Sequence, residues 1–142
     1  MKKRIYLFAV VLLFSCGKEQ MLSFTSEIEF KSISPITAQE YSDDIIITIS
    51  YSDGDGDLGE NNPNIYNLFV EDNRNSIIYQ FRIPQLAPNN SIAIEGDLNI
   101  TINGSGITNE SSSQQLTYSI FVKDRAGNKS NTITTSAITI KQ

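Results

Sequence analysis

Apolar and polar residues alternate with a period of two along most of this 142-residue chain. In the clearest run, residues 45–51, every odd-numbered residue is apolar, and Thr48 and Ser50 lie between them. Because successive side chains of a β-strand point to opposite faces, this period predicts strands with one buried face. Beyond the first sixteen residues, apolar residues nowhere recur at helical spacing over ten residues, so no helix is predicted there.

The same period recurs in short segments that turn residues separate. These segments are residues 28–30, 66–70, 77–83, 92–102, 116–122 and 132–140. Gly96 interrupts one of them and predicts a bulge or bend, and the Gly-, Ser- and Asn-rich residues 103–115 predict a long loop. About seven short strands in one domain predict an all-β fold, and an antiparallel β-sandwich in preference to a barrel or an α/β fold.

The N-terminus has the three-part layout of a secretory signal. Cations at positions 2–4 precede an apolar run over residues 5–14, which ends at Ser15 and Cys16. At about 1.5 Å per residue this run would cover about 15 Å as a helix, half of the roughly 30 Å hydrocarbon core of a bilayer. A removable signal is therefore favoured over a permanent transmembrane helix.

Residues 13–16, Leu-Phe-Ser-Cys, resemble the lipobox of bacterial lipoproteins, and Cys16 is the only cysteine. The resemblance implies cleavage before Cys16 and lipid on its thiol, which makes residues 1–15 a signal peptide, 16–25 a tether and 26–142 the β-sandwich domain. The alternative is an ordinary signal cleaved elsewhere, with a free thiol. Gly17, rather than an aspartate, follows the cysteine, which favours an anchor in the outer membrane; the face of that membrane stays open.

Composition narrows the classes of function. The full chain has 11 basic and 16 acidic residues, and removal of three cations with the signal leaves 8 basic residues, a net charge of −8. No basic cluster remains, so nucleic acid is not expected as a partner. The chain lacks histidine, and its single cysteine is the predicted lipid site. Disulfides, His-dependent triads, cysteine nucleophiles and the usual zinc ligands are thereby excluded from the mature chain.

A segment near the C-terminus resembles part of a known fold. Tyr118 begins an alternating strand that leads to Asp124, Gly127, Asn128 and Ser130. This pattern resembles the penultimate strand and following turn of fibronectin type III and other bacterial immunoglobulin-like domains. The resemblance implies an immunoglobulin-like or fibronectin type III-like β-sandwich but no activity. Any antiparallel strand that ends in a Gly-Asn turn is the competing interpretation.

The one candidate site is the acidic loop over residues 53–60, Asp-Gly-Asp-Gly-Asp-Leu-Gly-Glu. Carboxylates at alternate positions, separated by glycines, can converge into the oxygen shell that Ca²⁺ prefers. The order of Asp53, Asp55 and Asp57 resembles the start of an EF-hand or dockerin loop, although Leu58 and Asn64 stand where those loops need glycine and glutamate. Residues 51–59 also resemble a stretch in small bacterial lipoproteins without an established activity.

The turn before the last strand lies at the same end of an immunoglobulin-like sandwich, so Asp124 is predicted to complete a calcium site with the three loop aspartates. The alternative is that the loop is an open, solvated turn and that Asp124 caps its own turn.

These patterns predict a lipid-anchored, non-enzymatic binding or structural module that calcium stabilises. Its unknown ligand would be a protein or a glycan. An alternative is an accessory subunit of an outer-membrane nutrient or polysaccharide uptake assembly, with tyrosines such as Tyr41, Tyr51, Tyr66 and Tyr79 on a sugar-binding face. A glycosidase is disfavoured because neighbouring carboxylates on a strand, such as those at positions 71 and 72, point to opposite faces.

Overall fold

The computed structural model describes residues 22–88 and 92–142. The predicted signal peptide, Cys16 and most of the predicted tether lie outside the described residues. Within the described ranges the chain forms strands, turns and irregular segments and no helix, as the period of two predicts. None of the described segments is therefore a helix with the length and hydropathy needed to span a membrane.

Ten strands make up the regular structure of the described residues. They are β1 (Glu27–Ser34), β2 (Thr37–Gln39), β3 (Ile45–Asp53), β4 (Leu68–Asp72), β5 (Ile77–Phe81), β6 (Ile94–Ile102), β7 (Ser113–Leu116), β8 (Tyr118–Val122), β9 (Ile133–Thr134) and β10 (Ile138–Lys141).

The strands form three open sheets. One sheet has the order β1-β3-β6 and a second has the order β5-β4-β8-β9, and both are antiparallel. The third has the order β2-β10-β7, in which β2 and β10 run parallel. Strands β7 and β8 are separated only by Thr117, and β9 and β10 only by residues 135–137. The third sheet is therefore joined to the second one by two short connections, one between β7 and β8 and one between β9 and β10.

A single apolar core lies between these sheets. Ile45, Ile47 and Ile49 of β3 are fully buried, and Val70 and Ile120 face them from the second sheet. Each such side chain contributes roughly 1.5–3 kcal/mol by leaving water. Alternate residues of the same strands point outward, so the all-β arrangement is consistent with a β-sandwich that has one buried face per sheet.

One detail of the predicted strands, the bulge or bend at Gly96, was wrong. Gly96 does not form a bulge, because β3 and β6 pair continuously through the Tyr51–Gly96 position. A Cβ at Gly96 would lie 2.7 Å from the Tyr51 hydroxyl, so the glycine leaves room for the tyrosine ring. The bulge is instead in β1, between Phe30 and Ser32.

The predicted loop over residues 103–115 is shorter than expected, because β7 begins at Ser113. The rest of it is held against the β4–β5 turn by Arg74, whose guanidinium forms a buried ion pair with Asp72 at 2.7 Å within that turn. The same guanidinium donates hydrogen bonds to the Gly106 carbonyl at 2.9 Å and to Gln114 at 3.1 Å. This loop is thus a folded part of the domain.

Candidate metal centre

The acidic loop begins where β3 ends and crosses one end of the fold. Asp53 is the last residue of β3, and its Oδ2 accepts a hydrogen bond of 2.6 Å from the Leu58 amide. The Leu58 side chain is fully buried and belongs to the apolar core. The leucine that breaks the EF-hand pattern therefore closes the loop and fixes it to the domain.

Two glycines allow the loop to pack beneath other segments. Gly56 and Gly59 have φ angles of +70° and +93°, which residues other than glycine rarely adopt. A Cβ at Gly56 would lie 2.1 Å from the Ile92 carbonyl oxygen, and one at Gly59 would lie 2.2 Å from that of Pro84. The loop is therefore compact, whereas an open and solvated turn would need no such close approach.

The compact loop brings three carboxylates together. Asp53, Asp55 and Asp57 each offer an oxygen within 4.8 Å of the other two. Asp53 is 0% exposed and Asp57 is 3% exposed. In all three residues Oδ1 is buried and has no hydrogen-bond partner. Because buried polar atoms in folded proteins are nearly always paired, three such oxygens side by side suit a cation as their partner, either a proton or a metal ion.

The pKa values show how unfavourable this arrangement is for ionised carboxylates. Burial is the main cause that raises the pKa of Asp53 to about 6, and the proximity of Asp55 and Asp57 adds to the rise. The hydrogen bond from the Leu58 amide acts in the opposite direction and lowers this pKa. Burial also raises the pKa of Asp57, with Asp124 and Asp55 adding to the rise. The folded chain therefore favours a proton, or another cation, at this cluster.

Asp124 lies in the neighbouring turn but outside the cluster of three. The turn does meet the acidic loop, since the Arg125 amide donates to the Asp57 carbonyl at 3.2 Å and the Ala126 amide to Asp57 Oδ2 at 3.1 Å. Both Asp124 oxygens accept hydrogen bonds from Asn128, at 2.7 Å from its amide and 2.9 Å from its side chain. In this structure Asp124 caps its turn, and its role as a fourth ligand stays a prediction.

Arg125 is a neighbour of the carboxylate cluster that the sequence pattern did not single out. Its guanidinium donates to the Gly59 carbonyl at 2.8 Å and to the Gly56 carbonyl at 3.3 Å. The arginine lowers the pKa of Asp57, yet the net direction at Asp57 is still upward. One arginine therefore offsets only part of the charge of three carboxylates. Its position directly after Asp124, in the turn predicted to meet the acidic loop, was the available signal.

The donor set fits calcium. Ca²⁺ takes oxygen ligands at about 2.3–2.6 Å, so two oxygens on one ion are at most about 5 Å apart, and the three carboxylates meet that limit. In each of Asp53 and Asp57 one oxygen accepts an amide hydrogen bond, which orients the other oxygen. Asp53, Asp55 and Asp57 would hold the ion, and the ion would supply charge compensation and rigidity.

The four tyrosines named for the alternative sugar-binding face lie in different strands and loops. Tyr51 and Tyr79 pack against the core, whereas Tyr41 and Tyr66 are exposed in different loops. Tyr41 lies against Gly104 and Gly106, in the loop fastened by the β4–β5 turn. The exposed tyrosines are therefore separated from each other.

The chain matches no protein-family model, and no curated protein or solved structure shows significant similarity to it.

Proposed function

We propose that this chain is a calcium-stabilised, lipid-anchored module of the bacterial cell envelope, with a binding or structural role and no catalysis. The observation that carries the proposal is the convergence of three buried, unpaired carboxylate oxygens in the loop after β3. A site of this kind supplies rigidity at one end of the domain, where loops meet.

The charge of the cluster explains why a cation belongs there. Two unit charges at 4.8 Å, the upper limit of the separations in the cluster, repel each other by roughly 1 kcal/mol in water and by roughly 3 kcal/mol at an effective dielectric constant of about 20. Repulsion of this size applies to each pair in the cluster. A divalent cation among the oxygens replaces the repulsion with attraction and fills the unpaired acceptor positions.

Calcium is the best candidate among the divalent cations. The cluster offers carboxylate oxygens alone, which suits hard cations and not zinc or copper. Mg²⁺ demands a near-ideal octahedron at about 2.0–2.1 Å, whereas Ca²⁺ tolerates the irregular geometry of a loop. Magnesium is therefore the matched control ion.

The finer fold in this proposal is a fibronectin type III-like sandwich. The two antiparallel sheets are β1-β3-β6 and β5-β4-β8-β9, three strands against four, with β5 next to β4 at the edge of the larger sheet. This division supports the resemblance noted at Tyr118 and the following turn. Loops at the ends of such a sandwich are its usual binding surfaces.

The anchor is proposed to be lipid on Cys16. The first described residues support its place in the molecule, because the Ser23 carbonyl accepts a hydrogen bond of 2.7 Å from the Gly54 amide in the acidic loop. The chain therefore enters the domain beside the carboxylate cluster. With lipid on Cys16, the metal site would lie at the membrane-proximal end of the domain.

The test of the metal site is the thermal midpoint of the full chain in excess chelator, in calcium and in magnesium. Extracellular calcium sites bind at about 0.1–1 mM, and a concentration ten times the dissociation constant adds about 1.4 kcal/mol, or several degrees. We expect Asp55→Asn and Asp57→Asn to lose this gain, and the exposed control Asp44→Asn to keep it. Full retention of the gain in both variants would remove these residues from the site.

The anchor has its own test. Cys16→Ser should release the chain from membranes or leave the precursor uncleaved, as fractionation and mass measurement would show. Unchanged fractionation together with unchanged mass would contradict the lipoprotein assignment.

A further inference from the structure

We propose that copies of this chain associate side by side, with the acidic outer face of one copy against a cationic, aromatic outer face of the next. The two surfaces lie on opposite outer faces of the fold, one on the sheet β1-β3-β6 and the other on β5-β4-β8-β9. The inference does not depend on the metal site.

The acidic face is a channel between two edge strands. Its members form two cross-strand rows, Glu27–Ser52–Glu95 and Glu29–Ser50–Asp97. The small serines of central β3 form the floor of a depression of about 400 Å³, and the carboxylates of β1 and β6 form its walls. Two strand spacings separate these walls by about 9–10 Å. Lys31, 3.8 Å from Asp97, is the one cation that pairs with these walls among the described residues.

The opposite face carries two phenylalanines and two lysines. The rings of Phe69 and Phe121 stack with centroids 4.8 Å apart and planes 13° apart. The Lys129 ammonium lies 4.0 Å from the Phe121 centroid, and the Lys123 ammonium lies 5.4 Å from that of Phe69. Neither lysine forms an ion pair within the described part of the chain. These cations rest on aromatic rings and can accept carboxylate partners.

The acidic channel is wide enough to admit both lysines. Lys123 and Lys129 are direct neighbours across a β-bridge, so their backbones lie about 5 Å apart. The acidic channel is about twice as wide and has carboxylates on both sides. A pair of lysines can therefore enter the channel and meet one carboxylate wall each. This correspondence in charge and width favours a second copy as the partner over an unrelated anion.

Both surfaces also lie at the same level of the domain, that is, next to the end that carries the acidic loop. Ser52 of the acidic face immediately precedes Asp53, and Lys123 precedes the turn whose amides bind Asp57. The relative orientation of the copies rests on the proposed lipid anchor: copies anchored in one membrane would share their orientation, and matching levels would place the acidic face of one beside the lysines of another. The contact joins different surfaces on the two copies, and such a contact repeats along a row and forms no closed pair.

Zero-length carbodiimide crosslinking of the full chain in vesicles tests the proposal, because it joins only lysine and carboxylate groups in contact. We expect a ladder of crosslinked species, with Lys123 or Lys129 joined to Glu27, Glu29, Glu95 or Asp97, that weakens in high salt. Lys123→Glu with Lys129→Glu, and separately Glu29→Lys with Glu95→Lys, should each lower the crosslinked fraction about tenfold. An equal mixture of the two variants should restore it.

Two controls lie away from both surfaces, Lys141→Glu and Glu110→Lys, and they should leave the ladder unchanged. Thermal midpoints of all variants in the same buffer confirm that the chains are folded. A wild-type chain that stays monomeric overturns the proposal, even if its lysines bind a different anion. A ladder that survives both charge reversals, or a mixture that fails to restore it, also overturns the proposal.

Discussion

Replacing Asp53 with asparagine should have opposite effects on stability in the absence and in the presence of calcium. Without metal, Asp53 is a fully buried carboxylate whose pKa is raised to about 6. The rise from an ordinary value of 3.8 is about two units, which at neutral pH corresponds to about 3 kcal/mol of destabilisation. Asparagine removes the charge and still offers an oxygen to the Leu58 amide.

In excess chelator at pH 7 we therefore expect Asp53→Asn to be more stable than the wild type by roughly 1–3 kcal/mol. In saturating calcium the wild type gains stability and the variant gains much less, because a neutral oxygen binds Ca²⁺ more weakly than a carboxylate. Urea denaturation in both buffers measures the two differences, with Asp44→Asn as the exposed control. A variant less stable than the wild type in chelator would refute the view that the buried charges are unpaired.

Three further outcomes follow from the same structure. In chelator, the free energy of unfolding should rise as pH falls from about 7 to about 4. The reason is that Asp53 takes up a proton near pH 6 in the folded chain and only near pH 4 in the unfolded chain. Saturating calcium should reverse this dependence on pH. Tyr118→Phe removes the 2.8 Å bond to buried Ser105 and should cost about 1–2 kcal/mol by urea denaturation. Burial raises the pKa of Tyr118 from its ordinary value of 10.0 to about 12 in the folded chain. The free energy of unfolding of the wild type should therefore fall between about pH 10 and pH 12, and the variant should lack this fall. Arg74→Ala strands a buried carboxylate and should cost about 3–5 kcal/mol, whereas Arg82→Ala on the surface should cost less than about 0.5 kcal/mol.

The strands were predictable wherever one face of a strand is buried along its whole length. Residues 45–51 show this best, since alternate isoleucines there are fully buried in β3. Breaks within strands were not predictable. The predicted strand over residues 116–122 is divided at Thr117. Next to this break Thr135, in the segment between β9 and β10, accepts a hydrogen bond from the Tyr118 amide with its hydroxyl and donates one from its own amide to the Tyr118 carbonyl. Such breaks depend on contacts between residues that are distant in sequence. The alternation of apolar and polar residues along one strand does not indicate these contacts.

The carboxylate cluster was predictable in part for a similar reason. The order of aspartates and glycines is local, and it indicated the cluster that the fold brings together. The position of Arg125 depends on how two loops pack against each other. The hydrogen bonds from Asn128 to Asp124 are local to one turn, and the alternative interpretation of Asp124 as the cap of its own turn had indicated them. The burial of Leu58 likewise depends on the closed loop and the core beneath it. The sequence identifies the carboxylates, and packing decides which of their oxygens stay unpaired.

Calcium binding to the metal-stripped full chain, measured by equilibrium dialysis with magnesium as competitor, tests the central claim most directly. We expect one calcium ion per chain, with a dissociation constant of about 0.1–1 mM, little competition from magnesium, and loss of binding in Asp57→Asn. Binding of no calcium by a folded chain, or equal binding by the variant, would contradict a calcium site formed by Asp53, Asp55 and Asp57.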